Sequence, residues 1–395
     1  KEINDTLGHD VGDQLLRQVG QRLLLCVRQS DTVARLGGDE FTVILGQLED
    51  VGSVTNVAQN ILMKLAEPFK LGNDIAYISA SIGITVYPKD ATTVGDLLKN
   101  ADQAMYNSKE MGRNRLSYFT RSMQEVAQMR MALTNEMRVA LASNQFCAVY
   151  QPIVDLNTGV IHKAEALLRW QHPTRGLIYP AEFIPIAEHT GMIIGLGDWI
   201  FYDAVRQALR WRKSDPDFQV SVNVSPVQFH RDGNNYVRWF DYLKKSRLPE
   251  KNICAEISVE ITEGVLLDAS TSILNQLLSF RDAGIQVSLD DFGTGYSSLA
   301  YLRKFDIDYL KIDQSFVTNL EENDDNLALC EAIIVMAHKL NLKVIAEGVE
   351  TATQRDLLRQ AGCDYAQGYL FSVPLNAKDF DDLLRQGAIS DAQHR

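Results

Sequence analysis

Long apolar runs are missing from this 395-residue sequence, and so is any clustering of cysteine. No stretch reaches the roughly 20 apolar residues needed to cross a bilayer, and no signal peptide opens the chain. The five cysteines (Cys26, Cys147, Cys254, Cys330, Cys363) are scattered, odd in number and never spaced as Cys-x-x-Cys. They read as reduced thiols of a cytosolic protein, which excludes a disulfide frame or a zinc site. Basic residues are in short supply: 39 Lys and Arg against 51 Asp and Glu leave a formal charge of −12. That balance excludes a nucleic-acid polymer as partner, although metals and a few arginines can reverse the field locally for a small anion. With no His-Glu-x-x-His, a metalloprotease is excluded. With no glycine-rich loop followed by Lys and no His-Arg-Asp, Asp291-Phe292-Gly293 is not the metal-binding triplet of a kinase. His172 and His189 read as loop and helix-end residues.

What is present is 46% hydrophobic and 23% charged, an ordinary globular composition, in a chain too long for one core, so two or three domains are expected. The most informative segment is the apolar run Ile285-Gln286-Val287-Ser288-Leu289, closed by the adjacent acids Asp290 and Asp291 and the turn Phe292-Gly293-Thr294-Gly295. Two carboxylates at the mouth of a buried strand repel each other and lose hydration, so one or two divalent cations would offset them. Alone, the same pair could also be a strand end turned out to water.

Residues 1–118 mix helical periodicity (Asp10–Arg28, Val51–Leu65, Val94–Met111) with strand signals at Thr42–Leu45 and Tyr77–Val86, an α/β or α+β layer domain. Residues 119–140 form a connecting helix, with Met123, Ala127, Met131, Met137 and Leu141 among polar residues; it could equally be the first helix of the next domain. From 141 to 390, strands at Phe146–Val154, Ile161–Leu168, Val220–Val224, Ile257–Ile261, Ile285–Leu289, Tyr309–Ile312, Val344–Ala346 and Tyr365–Gln367 alternate with helices, as in a (β/α)8-type barrel. The link Asp155–Gly159 is too short for a parallel crossover, so the first two strands are expected to be antiparallel.

The C-terminal ends of these strands carry Glu165 and Arg169, Asn223, Glu260 and Glu263, Asp290 and Asp291, Lys311 and Asp313, Glu347 and Glu350, and Gln367. In a barrel one rim collects all of them, and active sites are built there. Hard oxygen ligands without His or Cys favour Mg2+ or Mn2+ over zinc, and several carboxylates in one mouth can hold two cations that clamp a phosphodiester.

Ala164-Glu165-Ala166-Leu167-Leu168-Arg169-Trp170 resembles the signature of the EAL family. Gln151-Pro152-Ile153-Val154, Glu260-Ile261-Thr262-Glu263, Asp290 to Gly295, Lys311-Ile312-Asp313, Glu347-Gly348-Val349-Glu350 and Gln367-Gly368-Tyr369 extend the likeness. The resemblance implies a metal-dependent phosphodiesterase that opens cyclic-di-GMP to linear 5′-pGpG. It places Glu165, Asn223, Glu260 and Asp290 on one metal, with Asp290 and Asp291 sharing the second. Lys311 would orient the attacking water and Glu347 would act as base or water-positioning group. Arg169 would meet a substrate phosphate, and Gln151 and Gln367 would line the site. Glu263 would brace the loop Phe292–Ser298 and link a dimer contact to metal geometry.

Arg35-Leu36-Gly37-Gly38-Asp39-Glu40-Phe41 resembles the GGDEF signature of diguanylate cyclases, supported by Asn4-Asp5-Thr6-Leu7-Gly8-His9-Asp10-Val11-Gly12-Asp13. A tight glycine hairpin lets backbone approach phosphate while two acids reach metal and ribose. By this resemblance Asn4 and Asp13 would contact guanine, Gly37, Gly38, Asp39 and Glu40 would form the nucleotide turn, and Lys109 and Arg113 would meet phosphate. Arg28 and Asp31 sit at the family's inhibitory-site spacing; an ordinary surface pair is the alternative. Lys1-Glu2-Ile3-Asn4-Asp5, without a start methionine, reads as the interior of a domain, and the family's metal-binding aspartate falls just before it. The expectation is an incomplete GGDEF domain without cyclase activity, joined by a helix to a phosphodiesterase barrel.

Also implied are cyclic-di-GMP as partner, a homodimer through the EAL domain, GTP as an effector of the first domain, no membrane contact in these residues, and a bacterial cytoplasmic location. A longer parent anchored at the inner membrane fits the same reading. The competing functions are a non-catalytic cyclic-di-GMP receptor and a parent that both makes and degrades the dinucleotide.

Overall fold

A computed structural model describes residues 8–46, 51–72, 74–230, 235–246, 257–267, 271–293, 307–320 and 324–387. The chain divides into two compact units, Lys1–Ala132 and Leu133–Arg395.

In the first unit, helix His9–Cys26 buries Leu15, Val19 and Leu23 against Ile61 and Leu65 of helix Val51–Ala66 and against Phe69 and Leu71. Their i, i+4, i+8 spacing makes one apolar stripe. Arg22 lies 3.6 Å over the Phe69 ring and donates to the carbonyls of Lys64, Glu67 and Pro68, closing the second helix at its C-terminus. Strands β1 (Thr32–Gly37) and β2 (Glu40–Ile44) form an antiparallel hairpin, as do β3 (Phe69–Leu71) and β4 (Asp74–Ala76). Strand β5 (Ser81–Ile84) pairs in parallel with β6 (Arg115–Tyr118) across helix Val94–Glu110. The strand expected over Tyr77–Val86 is thus confined to Ser81–Ile84, because Val86 is drawn into a turn in which Asp90 accepts its N–H at 2.7 Å.

Helix Arg121–Ala142 spans the division between the units. Its buried stripe is Leu133, Met137 and Ala140, all in the core of the second unit, while Met131 is 71% exposed. The C-terminal half of the helix therefore belongs to the second core, along a stripe offset from the one its composition suggested.

The second unit is a closed barrel: β7 (Phe146–Asp155), β8 (Ile161–His172), β10 (Gln219–Val224), β11 (Ile257–Thr262), β12 (Gln286–Phe292), β13 (Tyr309–Ile312), β14 (Lys343–Ala346) and β15 (Tyr365–Ala366), in that order around the sheet. A short β9 (Gly176–Ile178) folds back antiparallel on the end of β8. Only β7 is reversed, antiparallel to both β15 and β8; the other neighbours are parallel. The β7–β8 turn is built by Asp155, whose carboxylate accepts from Asn157 and Thr158 N–H, with Gly159 left-handed at φ 71°.

Alternation along each strand explains two separate cores. Val220, Val222, Ile257, Val259, Ile261, Val287, Leu289, Leu310 and Ile312 join the large cluster between barrel and helices. Ile153, Tyr309, Ile345 and Tyr365 form a separate small cluster, inside the barrel. Side chains that alternate with the first set therefore point inward.

The reversal of β7 puts its start beside the C-terminal end of β8, with Phe146 opposite Trp170 and Cys147 opposite Arg169. Here the connecting helix is pinned: the Gln145 side chain accepts from the Trp170 indole at 3.1 Å, its carbonyl accepts from Gln171 N–H at 2.8 Å, and Glu136 lies 3.2 Å from His172 Nε2.

Candidate active site

The inward positions at the C-terminal rim converge on one ammonium group. Lys311, on β13 and 1% exposed, places Nζ 2.5 Å from Glu260, 2.6 Å from Glu347, 3.3 Å from Asp290 and 3.6 Å from Glu165. Glu165 is also held from β10 and from the end of β15. Asn223 donates to its Oε1 at 2.6 Å, and Gln367 to its Oε2 at 2.7 Å. Gln367 also donates to Gln151 at 3.0 Å, which in turn reaches the Ser372 carbonyl. The seat of Gln367 depends on Gly368, where an added Cβ would lie 2.1 Å from the Val349 carbonyl oxygen. That close approach lets Val349 N–H bond the Gln367 carbonyl, locking it beside the Glu347 segment.

Adjacent residues of a regular strand face opposite ways, so Asp290 and Asp291 could not both enter the lumen from an unbroken β12. The β12–β13 register slips between Leu289 and Phe292, and Asp291 is left-handed at φ 56°. This bulge turns the second carboxylate back toward the first. Among the described residues, Asp290, Asp291 and Glu347 form the one triad of metal-capable side chains whose ligand atoms all lie within 4.8 Å of one another.

Electrostatics match that crowding. Burial and the Glu165 charge push Glu260 well above the usual carboxylate range, against Lys311. Burial, with Asp290 and Glu165 adding and Lys311 opposing, raises Glu347 to about 8. Burial and then Asp290 raise Asp291 as well. Glu165 moves the other way: burial opposes its charge, but Lys311 and the bonds from Gln367 and Asn223 outweigh that. Burial also works against the charge of Lys311, yet Asp290, Glu165, Glu260 and Glu347 hold it well above its ordinary value. One ammonium is thus set among five carboxylates, and Glu260 Oε1 is buried without a hydrogen-bond partner among the described residues. Acids raised by burial, and further by one another, around an orphaned oxygen are groups that a divalent cation would deprotonate, and the donor set is all oxygen. The residues fit such an ion.

Other expected residues are more peripheral. Arg169 is partly buried, donates to the Leu168 carbonyl and lies 5.6 Å over the Tyr179 ring. Both carboxylate oxygens of Glu263 are buried with no partner among the described residues; of the loop it was expected to brace, Phe292–Ser298, residues 294–298 lie outside them. Asp313 caps the short helix Gln314–Val317 by accepting from Ser315 N–H.

In the first unit most of the expected residues lie exposed at the surface. Asn4 lies outside the described residues, and Asp13 is exposed on its helix. Gly37, Gly38, Asp39 and Glu40 form the exposed tip of the β1–β2 hairpin, held by Arg35, which donates twice to the Gly38 carbonyl. Lys109 and Arg113 are exposed at the end of helix Val94–Glu110. Asp31 spends both oxygens on backbone, accepting from Arg28 N–H at 2.8 Å and Gly46 N–H at 3.2 Å. That is the bond pattern of a turn, formed through the Arg28 backbone.

The layer beneath the rim is absent from the residues that the motifs single out. Two residues before Glu165, Asn223, Glu260, Asp290 and Lys311 stand Lys163, Ser221, Ser258, Ser288 and Tyr309. A strand period of two was the available signal.

Residues 134–374 match the family model described as EAL domain, and residues 1–115 match that of the diguanylate cyclase GGDEF domain. The chain is 40% identical over 382 residues to the bifunctional diguanylate cyclase/cyclic di-GMP phosphodiesterase MucR of Pseudomonas aeruginosa, covering 96% of this chain and 54% of that protein. It is 39% identical to the cyclic di-GMP phosphodiesterase PdeR of Escherichia coli, covering 96% and 57%. The chain thus spans about half the length of the curated relatives it matches. Among solved structures, the MucR phosphodiesterase in complex with c-di-GMP superposes with TM-score 0.58 at 37% identity, over 63% of this chain and 99% of that one. The EAL enzyme Bd1971 with cAMP and cyclic-di-GMP gives 0.61 at 33% identity, over 75% and 77%.

Proposed function

The chain belongs to the EAL domain family, and on that premise we propose that its barrel hydrolyses cyclic-di-GMP to linear 5′-pGpG in a divalent-metal-dependent reaction. The observation that carries this reading is the ion cage, with Lys311 buried among Glu165, Glu260, Asp290 and Glu347 at the rim where barrels build active sites.

Glu165, Asn223, Glu260 and Asp290 would hold one Mg2+ or Mn2+, and Asp290 with Asp291 the other. Such ions lower the pKa of water and offset phosphodiester charge. Lys311, fully protonated among its acids, orients the attacking water, and Glu347, raised toward neutrality, is poised to take its proton. Gln367, seated against Gln151, donates to Glu165, both glutamines would line the site, and the planar guanidinium of Arg169 suits a substrate phosphate. Glu263, buried at the end of β11, would brace the loop after Asp291.

To the first unit we assign a regulatory role, with GTP as effector at Asp13, the Gly37–Glu40 tip, Lys109 and Arg113; the exposure of these groups supports it. We also assign a homodimer through the barrel, since Leu329 and Val335 stand 47% and 56% exposed on helix Asp324–Lys339.

Purified protein given cyclic-di-GMP with Mg2+ or Mn2+ should release pGpG, followed by chromatography. Binding of the dinucleotide without turnover under either metal would replace this reading with that of a non-catalytic receptor.

A further inference from the structure

Beneath the rim, the barrel lumen is crossed at a second level. Lys163 Nζ lies 3.6 Å from the centroid of the Tyr309 ring and donates to Gln219 Oε1. Gln219 donates to Gln286 at 2.9 Å, and Gln286 accepts from the Tyr309 hydroxyl at 3.4 Å, so the crossing is tied to three further side-chain contacts.

The strands involved are β8 and β13, second and sixth of eight around the closed sheet, and therefore opposite one another. One layer up, the same two strands carry Glu165 and Lys311, which face each other at 3.6 Å. Lys163 is two residues before Glu165, and Tyr309 two before Lys311, so each lower partner stands directly under its upper one. The lumen of a (β/α)8 barrel is ordinarily spaced by layers of bulky branched side chains. Here β10, β11 and β12 supply the small Ser221, Ser258 and Ser288, 4%, 3% and 2% exposed, beside the Gln219 and Gln286 of the crossing itself. The serines leave the stem of Lys163 room to cross toward Tyr309, whose ring packs with Ile153, Ile345 and Tyr365 on the other side.

We propose that Lys163 is a positioning residue: a strut against Tyr309 that sets the distance between β8 and β13, and through it the placement of Glu165 relative to Lys311. The inference rests on the phosphodiesterase reading for its consequence and on the crossing for its geometry. The strut does not require charge, because a neutral amine still donates to Gln219 and packs on the ring.

A double-mutant cycle tests it, with Mn2+ affinity measured by calorimetry beside turnover. Lys163→Met and Tyr309→Leu should each lower kcat for cyclic-di-GMP about tenfold, the cost of a sub-ångström misplacement, while KM stays within about twofold. Each should weaken Mn2+ binding about fivefold, and the double variant should do no worse than the poorer single one, because both remove the same contact. Lys163→Arg, which keeps a long stem and a donor against the ring, and Tyr309→Phe, which keeps the ring, should both retain near wild-type kcat and Mn2+ affinity. These two also serve if a larger truncation fails to fold. Unchanged kcat and Mn2+ affinity in a folded Lys163→Met, losses that multiply in the double variant, or Arg and Phe variants as impaired as Met and Leu would each overturn the strut. If the wild type binds Mn2+ but releases no pGpG, the phosphodiesterase reading falls, and the Mn2+ arm alone still decides the strut.

Discussion

Each half of this chain carries a glycine turn beside two adjacent acids, and the two turns are physically unlike. At the hairpin tip, Asp39 and Glu40 are solvated, and the turn is held by a bond from its own strand, Arg35 to Gly38. At the barrel rim, Asp290 and Asp291 meet groups delivered by strands far away in sequence, and none of the buried acids keeps its ordinary hydration. A closed sheet fixes side chains before any ligand arrives, whereas an open hairpin leaves organisation to the ligand. The same residue types are therefore held by tertiary contacts in one place and left to solvent in the other.

The largest test of that contrast is substitution. Glu165→Ala or Lys311→Ala should cost about a thousandfold or more in pGpG release, because the first removes a proposed metal ligand and the second the ammonium that offsets the buried acids. Asp39→Ala or Glu40→Ala, assayed without GTP, should leave turnover within about twofold. Equal losses in both halves would erase the distinction.

Metal removal comes next. Chelation should abolish turnover and readdition of Mg2+ or Mn2+ restore it. Saturating Mn2+ should raise the barrel's thermal transition, by about 2.7 kcal/mol of linkage at a hundredfold excess over Kd. A rise confined to the first unit would reverse the assignment.

The bulge gives a smaller, separable effect. Asp291→Gly keeps the left-handed backbone and loses the carboxylate, while Asp291→Val loses both. The valine variant should be less stable than the glycine variant by about 1–2 kcal/mol in chemical denaturation. Equal stability would mean that the backbone at this position relaxes freely.

The smallest effect is an acid limb at the opposite rim. Asp364 accepts from Lys343 at 2.6 Å, His338 at 2.8 Å and Val344 N–H at 3.0 Å. Burial opposes its charge, but these bonds outweigh it and hold its carboxyl below the ordinary aspartate value. Its stabilisation is therefore complete above that unfolded value and is lost as pH falls through the lower folded one. Asp364→Asn should flatten the barrel's acid melting profile below about pH 4 and barely alter it at pH 7. An unchanged profile would mean that the pair contributes nothing.

Much of the barrel was legible because its strands alternate, so Ile257, Val259 and Ile261 announced a buried face and Glu260 the other. The reversed first strand was legible from the short Asp155–Gly159 link. The bulge at Asp291 was not, since nothing local distinguishes an acid pair in regular strand from one in a left-handed turn. Nor was the Lys163 crossing, which exists only once closure puts β8 opposite β13. In the connecting helix, Met131 looked as apolar as Met137, and only tertiary packing chose between them.

Reversing one strand also changes where the polypeptide enters the barrel. A regular first strand would start at the floor, as far from the chemistry as the sheet allows. Here the chain comes in at the mouth, with Gln145 clasping Trp170 and Gln171 next to Arg169. A pull or twist on the incoming helix thus has almost no mechanical path to travel: the doorway and the workbench share one wall.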